Sequence, residues 1–265
     1  MEQAIQRAAR DLVASKYGIA LTGAGISTES GIRDYRGPQG VWTLNPEAER
    51  RAYRGYQEFI QDPKGWWENI LASPRADSLG DLGKAMPNVG HYALAELEEM
   101  GIIKCTITQN VDALHEKAGT RNLLEYHGSV AKFRCLSCGS RFRRNEFDLQ
   151  KLMEENQLPP RCPKCRGIIK TDGVFFGEPI PSDVAEKSLE EAWKCDLMLI
   201  CGTSAVVYPF ANLPRIAKQR REVTIIEVNA EPTPLTEEGI SDYLIQGKIG
   251  EILPRILEEV KKLQG

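Results

Sequence analysis

The amino-acid sequence predicts an α/β protein built on a doubly wound parallel sheet. Apolar runs at residues 18–21, 197–201 and 223–228 show little alternation and are typical of strands buried on both faces. A glycine-rich turn follows the first run, where a strand is expected to lead into a helix. Helical patterns separate the strands, at residues 3–16, 91–100, 183–194, 213–219 and 249–263. Strands that alternate with helices indicate a parallel sheet with helices on both faces.

Composition and charge are those of an ordinary globular chain. The chain has 265 residues, of which 42% are hydrophobic and 27% charged, enough for one large domain and a smaller module. A net charge of −3 and a pI of about 5.8 show no excess of positive charge, so we expect no direct binding to nucleic acid. No apolar run approaches the roughly 18 residues of a membrane span, and residues 1–16 read as an amphipathic helix rather than a signal peptide. We therefore expect a cytoplasmic protein with no membrane association.

The glycine turn after the first strand is a candidate phosphate site. Gly23 and Gly25 lack a Cβ, so the backbone can approach a ligand closely there. Free N–H groups at the start of the following helix favour phosphate, which suggests a dinucleotide pyrophosphate. The alternative is an ordinary glycine turn, because the third glycine of the usual fingerprint falls on Thr28.

Two stretches interrupt the alternation of strands and helices. Residues 36–87 are rich in aromatic side chains and are divided by prolines, which indicates a loop and a small helical insertion that caps the core. Residues 131–172 contain paired cysteines and many charges, and we interpret them as a second insertion.

The paired cysteines are the strongest chemical signal. They form two Cys-x-x-Cys pairs: Cys135 with Cys138, and Cys162 with Cys165. Two such pairs supply four thiolates for one tetrahedral, closed and therefore structural zinc ion. Two disulfides and a redox motif are the alternatives, but seven cysteines in all are awkward for a secreted, disulfide-bonded chain. Cys105, Cys195 and Cys201 lie in or beside apolar runs and are expected in the core.

Polar clusters follow three of the predicted strands, at residues 109–112, 202–204 and 229–231. Ligands in open α/β sheets bind outside the carboxyl ends of the strands. Each cluster alone could cap a helix, since Ser, Asn and Asp are preferred there. Three clusters beside a glycine turn favour one shared crevice.

The chain contains three histidines, and His127 is the catalytic candidate among them. The adjacent Gly128 suggests an exposed turn, where a general base can act, although a lone histidine is more often structural. His115 stands at a helical start and His91 near another, and both are interpreted as structural.

A longer series of motifs points to one family. In chain order they are Gly23-Ala24-Gly25-Ile26-Ser27, Gly31-Ile32-Arg33-Asp34-Tyr35-Arg36, Thr108-Gln109-Asn110-Val111-Asp112, His127-Gly128, the four paired cysteines, Phe175-Phe176-Gly177-Glu178, Gly202-Thr203-Ser204 and Val228-Asn229-Ala230-Glu231. This order resembles the sirtuins over essentially the whole chain. Several motifs in a fixed order are far more specific than any one of them.

The resemblance implies a fold and a reaction. The fold is a Rossmann-like NAD-binding domain of residues 1–35, 88–130 and 173–265, with a small domain formed by the helical insertion (36–87) and the zinc-binding module (131–172). The reaction removes an acyl group from protein lysine and consumes NAD⁺ as a co-substrate. Its products are free lysine, nicotinamide and O-acyl-ADP-ribose.

The resemblance also implies site residues. The catalytic residues are His127, which takes a proton from a ribose hydroxyl, with Asn110 and Asp112 near the ribose and nicotinamide. The cofactor-binding residues are Gly23, Ala24, Gly25, Ile32, Asp34, Tyr35, Arg36, Gln109, Asn110, Asp112, Gly202, Thr203, Ser204, Asn229, Glu231 and Lys248. An extended peptide is expected to add as a strand between two flanking segments. These segments are Val174, Phe175, Phe176, Gly177 and Glu178, and Val206, Val207 and Tyr208.

Two residues depart from the family pattern. Arg33 stands where the family usually has Pro, and Tyr35 where it usually has Phe. Tyr35 keeps the aromatic face, whereas Arg33 removes a residue that would have restricted φ in the cofactor loop.

Two other functions are compatible with the sequence. One is mono-ADP-ribosyl transfer to protein from the same pocket, and the other is a zinc-ribbon scaffold without catalysis. The presence of Asn110, Asp112 and His127 argues against the scaffold.

The sequence also predicts a preference for neutral acyl groups. Sirtuins that prefer acidic acyl chains carry Tyr-x-x-Arg in the helical insertion, and no Tyr is followed by Arg at that spacing here. We expect Trp66, Trp67 and Ile70 to present apolar surface instead, unless Arg54 or Arg75 reaches the pocket.

Overall fold

The computed structural model describes residues 1–72, 82, 84–219 and 222–265. Six parallel strands form a large sheet, and three antiparallel strands form a small one. The strands are β1 Gly18–Thr22, β2 Ile103–Thr108, β3 Leu123–Glu125, β4 Lys132–Cys135, β5 Arg141–Arg143, β6 Ile169–Thr171, β7 Leu197–Cys201, β8 Thr224–Asn229 and β9 Tyr243–Gln246.

The helices alternate with the strands of the large sheet, as the sequence predicts. The α-helices of the described residues are α1 Glu2–Ala14, α2 Val41–Leu44, α3 Pro46–Gln61, α4 Pro63–Ala72, α5 Val89–Glu99, α6 Leu114–Ala118, α7 Leu149–Glu154, α8 Ser182–Lys194, α9 Leu213–Lys218, α10 Pro234–Glu237 and α11 Ile249–Gln264. Short 3₁₀ helices cover Ala24–Ser30, Arg144–Glu146 and Phe210–Asn212. Among these described helices, none is both long and apolar enough to cross a membrane.

The large sheet has the strand order β3-β2-β1-β7-β8-β9. The chain winds from β1 outward to β3 and then returns to β7 on the other side of β1. The connections therefore leave in opposite directions at β1 and β7, which creates a crevice at their carboxyl ends. The topology is the doubly wound one that the alternating pattern predicts.

Apolar side chains cover both faces of this sheet. Along β1, Ala20 packs with α1, α5 and α11 on one face, whereas Ile19 and Leu21 pack with α8 and α9 on the other. Successive side chains of a strand point to opposite faces, so a sheet that is buried on both sides needs a continuous apolar run. Cys105, Cys195 and Cys201 lie in these two cores, as expected.

A third core joins the two insertions into one small domain. Phe59 of α3 and Trp67 of α4 are fully buried against Phe133 of β4 and Ile169 of β6. The Trp67 indole Nε1 donates a hydrogen bond to the Ile169 carbonyl oxygen at 3.0 Å. This arrangement confirms the predicted small domain made from a helical and a cysteine-containing insertion.

Candidate active site

A cavity of about 700 Å³ opens at the carboxyl ends of the strands of the large sheet. Its lining includes most of the predicted site residues, which the fold brings together from distant parts of the chain. They are Ala24, Gly25, Asp34, Tyr35, Arg36, Gln109, Asn110, His127, Val174, Phe175, Phe176, Gly177, Glu178, Gly202, Thr203, Ser204, Val206, Val207, Tyr208, Asn229, Glu231 and Lys248. The single crevice favoured by the three polar clusters is therefore present.

Three predicted cofactor residues lie outside the lining of the cavity: Gly23, Ile32 and Asp112. Gly23 extends the pairing of β1 with β7, because its N–H donates to the carbonyl oxygen of Cys201, the last residue of β7, at 3.1 Å. Asp112 is only 5% exposed and lies in a polar network beneath the cavity floor. The Asp112 side chain therefore does not line the cavity itself. It contacts Ser27, which in turn contacts Asn110 in the cavity lining.

The glycine loop packs tightly against the loop that follows β7. The Gly25 N–H donates to the Gly202 carbonyl oxygen at 2.8 Å. A Cβ on Gly25 would lie 2.7 Å from the Gly202 Cα, and one on Gly202 would lie 2.5 Å from the Ile26 nitrogen. Gly202 also has φ +65°, which favours glycine. These glycines let two loops meet, in addition to leaving room for a ligand.

The helix expected after the glycine turn is present, but it is not an α-helix. Ala24–Ser30 is a 3₁₀ helix that ends at Gly31 in the left-handed region. Because the Gly25 N–H is already bonded to Gly202, fewer free donors face the cavity than an α-helical start would offer. The expectation of a helix start with free N–H groups was wrong in this respect.

A buried polar network supports the floor of the cavity. The Asn110 amide nitrogen donates to the Gly23 carbonyl oxygen and to the Ser27 hydroxyl, both at 3.0 Å. The Ser27 hydroxyl in turn donates to the Asp112 carboxylate at 2.7 Å, and the second Asp112 oxygen accepts from the Leu114 N–H at 2.9 Å. These contacts hold Asn110 in one orientation at the edge of the cavity.

His91 extends the network away from the cavity. Its Nε2 lies 3.4 Å from the Ser27 hydroxyl, and its Nδ1 accepts from the Asn88 N–H at 3.3 Å. Burial lowers the pKa of His91 to about 4, against a smaller opposing effect of the Asp112 charge. His91 is therefore a neutral structural residue at the start of α5, as the sequence predicts.

His127 lies at the cavity with its ring orientation defined. Its Nδ1 is 3.1 Å from the Gln109 carbonyl oxygen, which can only accept, so Nδ1 carries the proton. The Nε2 lone pair is then available to take a proton. Burial lowers the pKa of His127, and the hydrogen bond to Gln109 opposes that shift. The neutral, basic form is therefore the one present near neutral pH.

Gly128 is not part of an exposed turn, and that expectation was wrong. The residue is buried, and a Cβ there would lie 2.1 Å from the Asp172 carbonyl oxygen. Its φ of +75° also favours glycine. Gly128 allows the His127 loop to pack against the segment that leaves the small domain.

His115 is structural, as expected. It is 1% exposed, and its Nε2 lies 2.9 Å from the Thr22 hydroxyl. Burial lowers the pKa of His115 to about 3, so it stays neutral inside the fold.

Two segments flank the cavity beyond His127, in the positions expected for an extended peptide. The Val174 N–H donates to the His127 carbonyl oxygen at 2.8 Å, which ties residues 174–178 to the histidine loop. On the other side, Val206 and Tyr208 remain 42% and 59% exposed. Exposed apolar side chains at a cavity mouth suit a ligand that covers them on binding.

A row of aromatic rings borders the same region. Trp42 contacts Tyr35 and Phe176, with centroid distances of 4.8 and 5.4 Å. The Arg36 guanidinium stacks over Trp42 at 4.5 Å, and it is 3.6 Å from the Glu49 carboxylate. This wall of the cavity is therefore apolar, with one cation that already has a partner.

The residues expected to supply apolar surface to the acyl group lie elsewhere. Trp66 and Trp67 pack in the small-domain core, and Ile70 does not line the cavity. That expectation was wrong, because Trp67 points toward β4 and β6, and Trp66 packs behind Phe175 rather than at the cavity surface. Arg54 is 60% exposed and lies near Glu47 and Glu58, away from the cavity lining, and Arg75 lies outside the described residues.

The opposite end of the cavity is formed by the loop after β8. The Asn229 amide nitrogen donates to the Glu231 carbonyl oxygen at 2.7 Å and closes this turn. Lys248 lines the same end with an exposed side chain, 3.6 Å from the Glu251 carboxylate. Below the loop, Glu227 is 1% exposed and accepts hydrogen bonds from three hydroxyls, those of Thr233, Thr236 and Ser241.

The four paired cysteines surround one point in the small domain. Their sulfur atoms all lie within 4.8 Å of one another, with Cys135 and Cys165 at 3.5 Å and Cys138 and Cys162 at 3.7 Å. Ligands of a tetrahedral zinc ion at about 2.3 Å are about 3.8 Å apart. The sulfur set therefore fits one zinc ion and leaves no coordination position for a substrate.

Comparisons with known proteins agree with this geometry. The Sir2 family model matches residues 23–209, from the glycine loop through the residue after Tyr208. The chain belongs to the Sir2 family. Apart from the four cysteines, each motif that suggested sirtuins in the sequence contributes residues to the cavity lining.

Individual Sir2 relatives match nearly the whole chain. NAD-dependent protein deacylase 2 of Archaeoglobus fulgidus is 44% identical over 100% of this chain and 99% of the relative. NAD-dependent protein deacylase 2 of Pyrobaculum aerophilum is 42% identical over 95% of this chain and 94% of the relative. A solved structure of Sir2 with a p53 peptide and NAD⁺ is 33% identical, with a TM-score of 0.71 over 94% of this chain and 96% of that one.

Sequence reasoning did not assign several residues of this Sir2 cavity. The unassigned lining residues are Thr28, Glu29, Gly37, Pro38, Trp42, Val111, Ile180, Pro209, Ala230, Pro232, Thr233, Pro234, Gly247 and Ile249. Most of them directly follow an assigned motif, so position beside a motif was the available signal. Ser27 and His91 carried no signal for their shared network, because its contacts join residues far apart in the chain.

Proposed function

We propose that this protein removes acetyl or other neutral acyl groups from protein lysine in an NAD⁺-dependent reaction. The relatives named NAD-dependent protein deacylases and the Sir2 complex with peptide and NAD⁺ support this function. The products are lysine, nicotinamide and O-acyl-ADP-ribose, so the reaction is also an acyl transfer.

The observation that carries the proposal is the position of His127. A neutral histidine, with its Nδ1 proton held by the Gln109 carbonyl, lines the cavity together with residues 174–178 and 206–208 on one side and the glycine loop on the other. A general base must reach the proton that it takes and must be unprotonated at the working pH. The lowered pKa of His127 supports the second requirement, and its place in the cavity lining would bring it within reach of a ribose hydroxyl bound there.

The other residues divide into roles by position. We propose that Asn110, held by Ser27 and Gly23, hydrogen-bonds the nicotinamide ribose, and that Asp112 orients Ser27 from below. The glycine loop and residues 202–204 would face the phosphates, and Asn229, Glu231 and Lys248 the adenosine. Acyl-lysine would enter between residues 174–178 and 206–208, and the enclosed cavity would keep water from the reacting ribose.

The zinc ion would be structural. The four sulfurs complete its coordination, they connect β4 to the loop before β6, and none of the four cysteines lines the cavity. We further propose that the Rossmann-like domain spans residues 1–35, 88–130 and 173–265. We place the protein in the cytoplasm, since a reducing compartment keeps four zinc-binding thiolates available.

Mono-ADP-ribosyl transfer is the less favoured alternative, because the curated relatives reported above are named deacylases. The experiment measures nicotinamide release from NAD⁺ with and without an acetyl-lysine peptide. We expect release that depends on the acetyl peptide and matches deacetylated product one for one. Nicotinamide release without the acetyl group, together with labelled ADP-ribose from NAD⁺ on protein, would support mono-ADP-ribosyl transfer. No nicotinamide release at all would support a scaffold without catalysis.

A further inference from the structure

A cluster of four buried charges lies between the small domain and the cavity. Its members are Arg134, Lys170, Asp172 and Glu178, and each is less than one tenth exposed. The two cations come from β4 and β6, where they are directly paired across the small sheet. The two anions belong to the segment that leads from the small domain back to the large sheet.

The four side chains are closely connected. The Arg134 guanidinium donates to Asp172 through Nε at 3.0 Å and to Glu178 through a terminal nitrogen at 2.7 Å. The Lys170 ammonium is 3.2 Å from the second Glu178 oxygen. It also donates to the carbonyl oxygens of Thr171 and Gly173 at 2.7 and 2.6 Å. Two buried cations thus face two buried anions. The partly exposed Arg141 also contacts Asp172 at 3.2 Å, and its charge is paired in turn with Asp183 at 2.7 Å.

The anions also hold backbone atoms at the cavity. Glu178 accepts a hydrogen bond from the Phe175 N–H at 2.9 Å, within the predicted peptide-binding segment. Asp172 accepts from the Ser129 N–H at 3.1 Å, two residues beyond His127. The cluster therefore holds both residues 174–178, on one side of the proposed acyl-lysine entrance, and the loop that carries His127.

Stability alone gives no reason for charges at this place. Burying ion pairs costs desolvation free energy, and well-packed apolar side chains are often at least as stable. Charge-assisted hydrogen bonds, however, impose defined distances and directions on their partners. A cluster that holds two loops at once is suited to keeping them in one relative position.

We propose that Arg134, Lys170, Asp172 and Glu178 form a positioning cluster that sets residues 174–178 against His127 for binding of the acyl-lysine peptide. Glu178 is then a positioning residue and not a direct peptide contact. The inference rests on the proposed deacylase function and adds how the small domain contributes to substrate binding. The NAD⁺-binding loops of the large sheet should be independent of it.

The first test is Glu178→Gln, which leaves the cluster with one excess positive charge. We expect the KM for an acetyl-lysine peptide to rise about tenfold, as for loss of one partner of a buried pair. The Kd for ADP-ribose and the zinc content should stay at the wild-type values. The matched control is Asp183→Asn, at the exposed outer end of the Arg141 ion pair, where we expect a change of about twofold or less.

The double variant Glu178→Gln with Lys170→Met separates positioning from stability. It removes one charge of each sign, so the melting temperature should recover toward wild type relative to Glu178→Gln. The peptide KM should remain raised, because the Lys170 contact is lost and the single acceptor oxygen of a glutamine at position 178 cannot serve both Arg134 and the Phe175 N–H. This double variant also serves if Glu178→Gln alone does not fold.

Two results would overturn the proposal. One is a peptide KM within about twofold of wild type in an active, folded Glu178→Gln protein. The other is a peptide KM that returns to normal in the double variant along with stability. A wild-type protein that does not deacetylate the peptide would instead contradict the proposed function, and peptide binding measured by titration would then still test the cluster.

Discussion

The two ends of the cavity are built in different ways. At the His127 end, buried charges from the small domain hold the backbone of residues 174–178. At the Asn229 end, the loop after β8 rests on Glu227 and its three hydroxyl partners, all within the large-sheet part of the chain. Strand order explains the separation, since β3 lies at one edge of the sheet and β8 and β9 lie at the other.

This difference predicts that peptide binding and nucleotide binding can be damaged separately. The small domain has its own core and its own cysteine cluster, and its described residues Arg36 and Trp42 line the cavity on the Phe176 side. Changes in it should affect the acyl-lysine side more than the adenosine side. The predictions below test that separation, from the largest expected effect to the smallest.

Removal of the base at the peptide end should have the largest effect. We expect His127→Ala to lower kcat/KM for deacetylation by about 10²-fold or more, the scale of lost general-base catalysis. The Kd for ADP-ribose, measured by calorimetry, should change little because the nucleotide loops are intact. Near-wild-type turnover by a folded variant would remove His127 from the mechanism.

Loss of a cysteine ligand should disturb the peptide end through the small domain. Cys135→Ser should lower zinc content and also lower the melting temperature, by about 5 °C or more, because zinc binding is coupled to folding. Cys105→Ser, in the large-sheet core, is the control that should keep its zinc. Metal analysis that finds a full zinc content in Cys135→Ser would contradict the assignment.

The residues at the peptide end should also determine which acyl groups the enzyme accepts. We expect kcat/KM for a succinyl-lysine peptide to be about tenfold or more below that for the acetyl peptide, because the described residues at this end of the cavity offer a buried carboxylate no unpaired cation. Arg36 lines the cavity but is already close to Glu49. The comparison uses one peptide carrying acetyl-, butyryl- or succinyl-lysine, and faster turnover of the succinyl form would refute the expectation.

A change at the adenosine end should show the opposite selectivity. Glu227→Gln replaces an acceptor of three hydroxyl hydrogen bonds with a group that has one acceptor oxygen. We expect the KM for NAD⁺ to rise about fivefold, which corresponds to a free-energy loss within the range for one unsatisfied buried polar group. The peptide KM should be unchanged. The control is Glu238→Gln, whose ion pair with Arg215 is half exposed. An equal rise in both KM values would show that the two ends are not independent.

The pH profile should report the environment of His127. Burial lowers its pKa below the ordinary value of 6.5, and the proposed general base must be neutral to act. The value of kcat/KM for the peptide should therefore be flat above that pH and fall on the acid side, with a midpoint below it. ADP-ribose binding should not follow the same profile. A midpoint above 6.5 would mean that a partner charge outweighs burial at this histidine.

The sequence by itself determined the elements and most of the chemistry. Continuous apolar runs such as 197–201 predicted strands buried on both faces, and the cysteine spacing predicted a tetrahedral sulfur set. The order of the motifs identified the family, because local residue types at fixed spacing are readable along the chain. His127 and Asn110 were assigned in the same way.

Only the tertiary structure decided how these pieces support one another. Gly128 is needed because Asp172 packs against it, and Trp67 belongs to the small-domain core because β6 accepts its hydrogen bond. Glu178 serves a charged cluster whose cations lie on other strands. Such contacts join residues that are distant in sequence, and their free energy depends on burial and direction, which spacing along the chain does not encode.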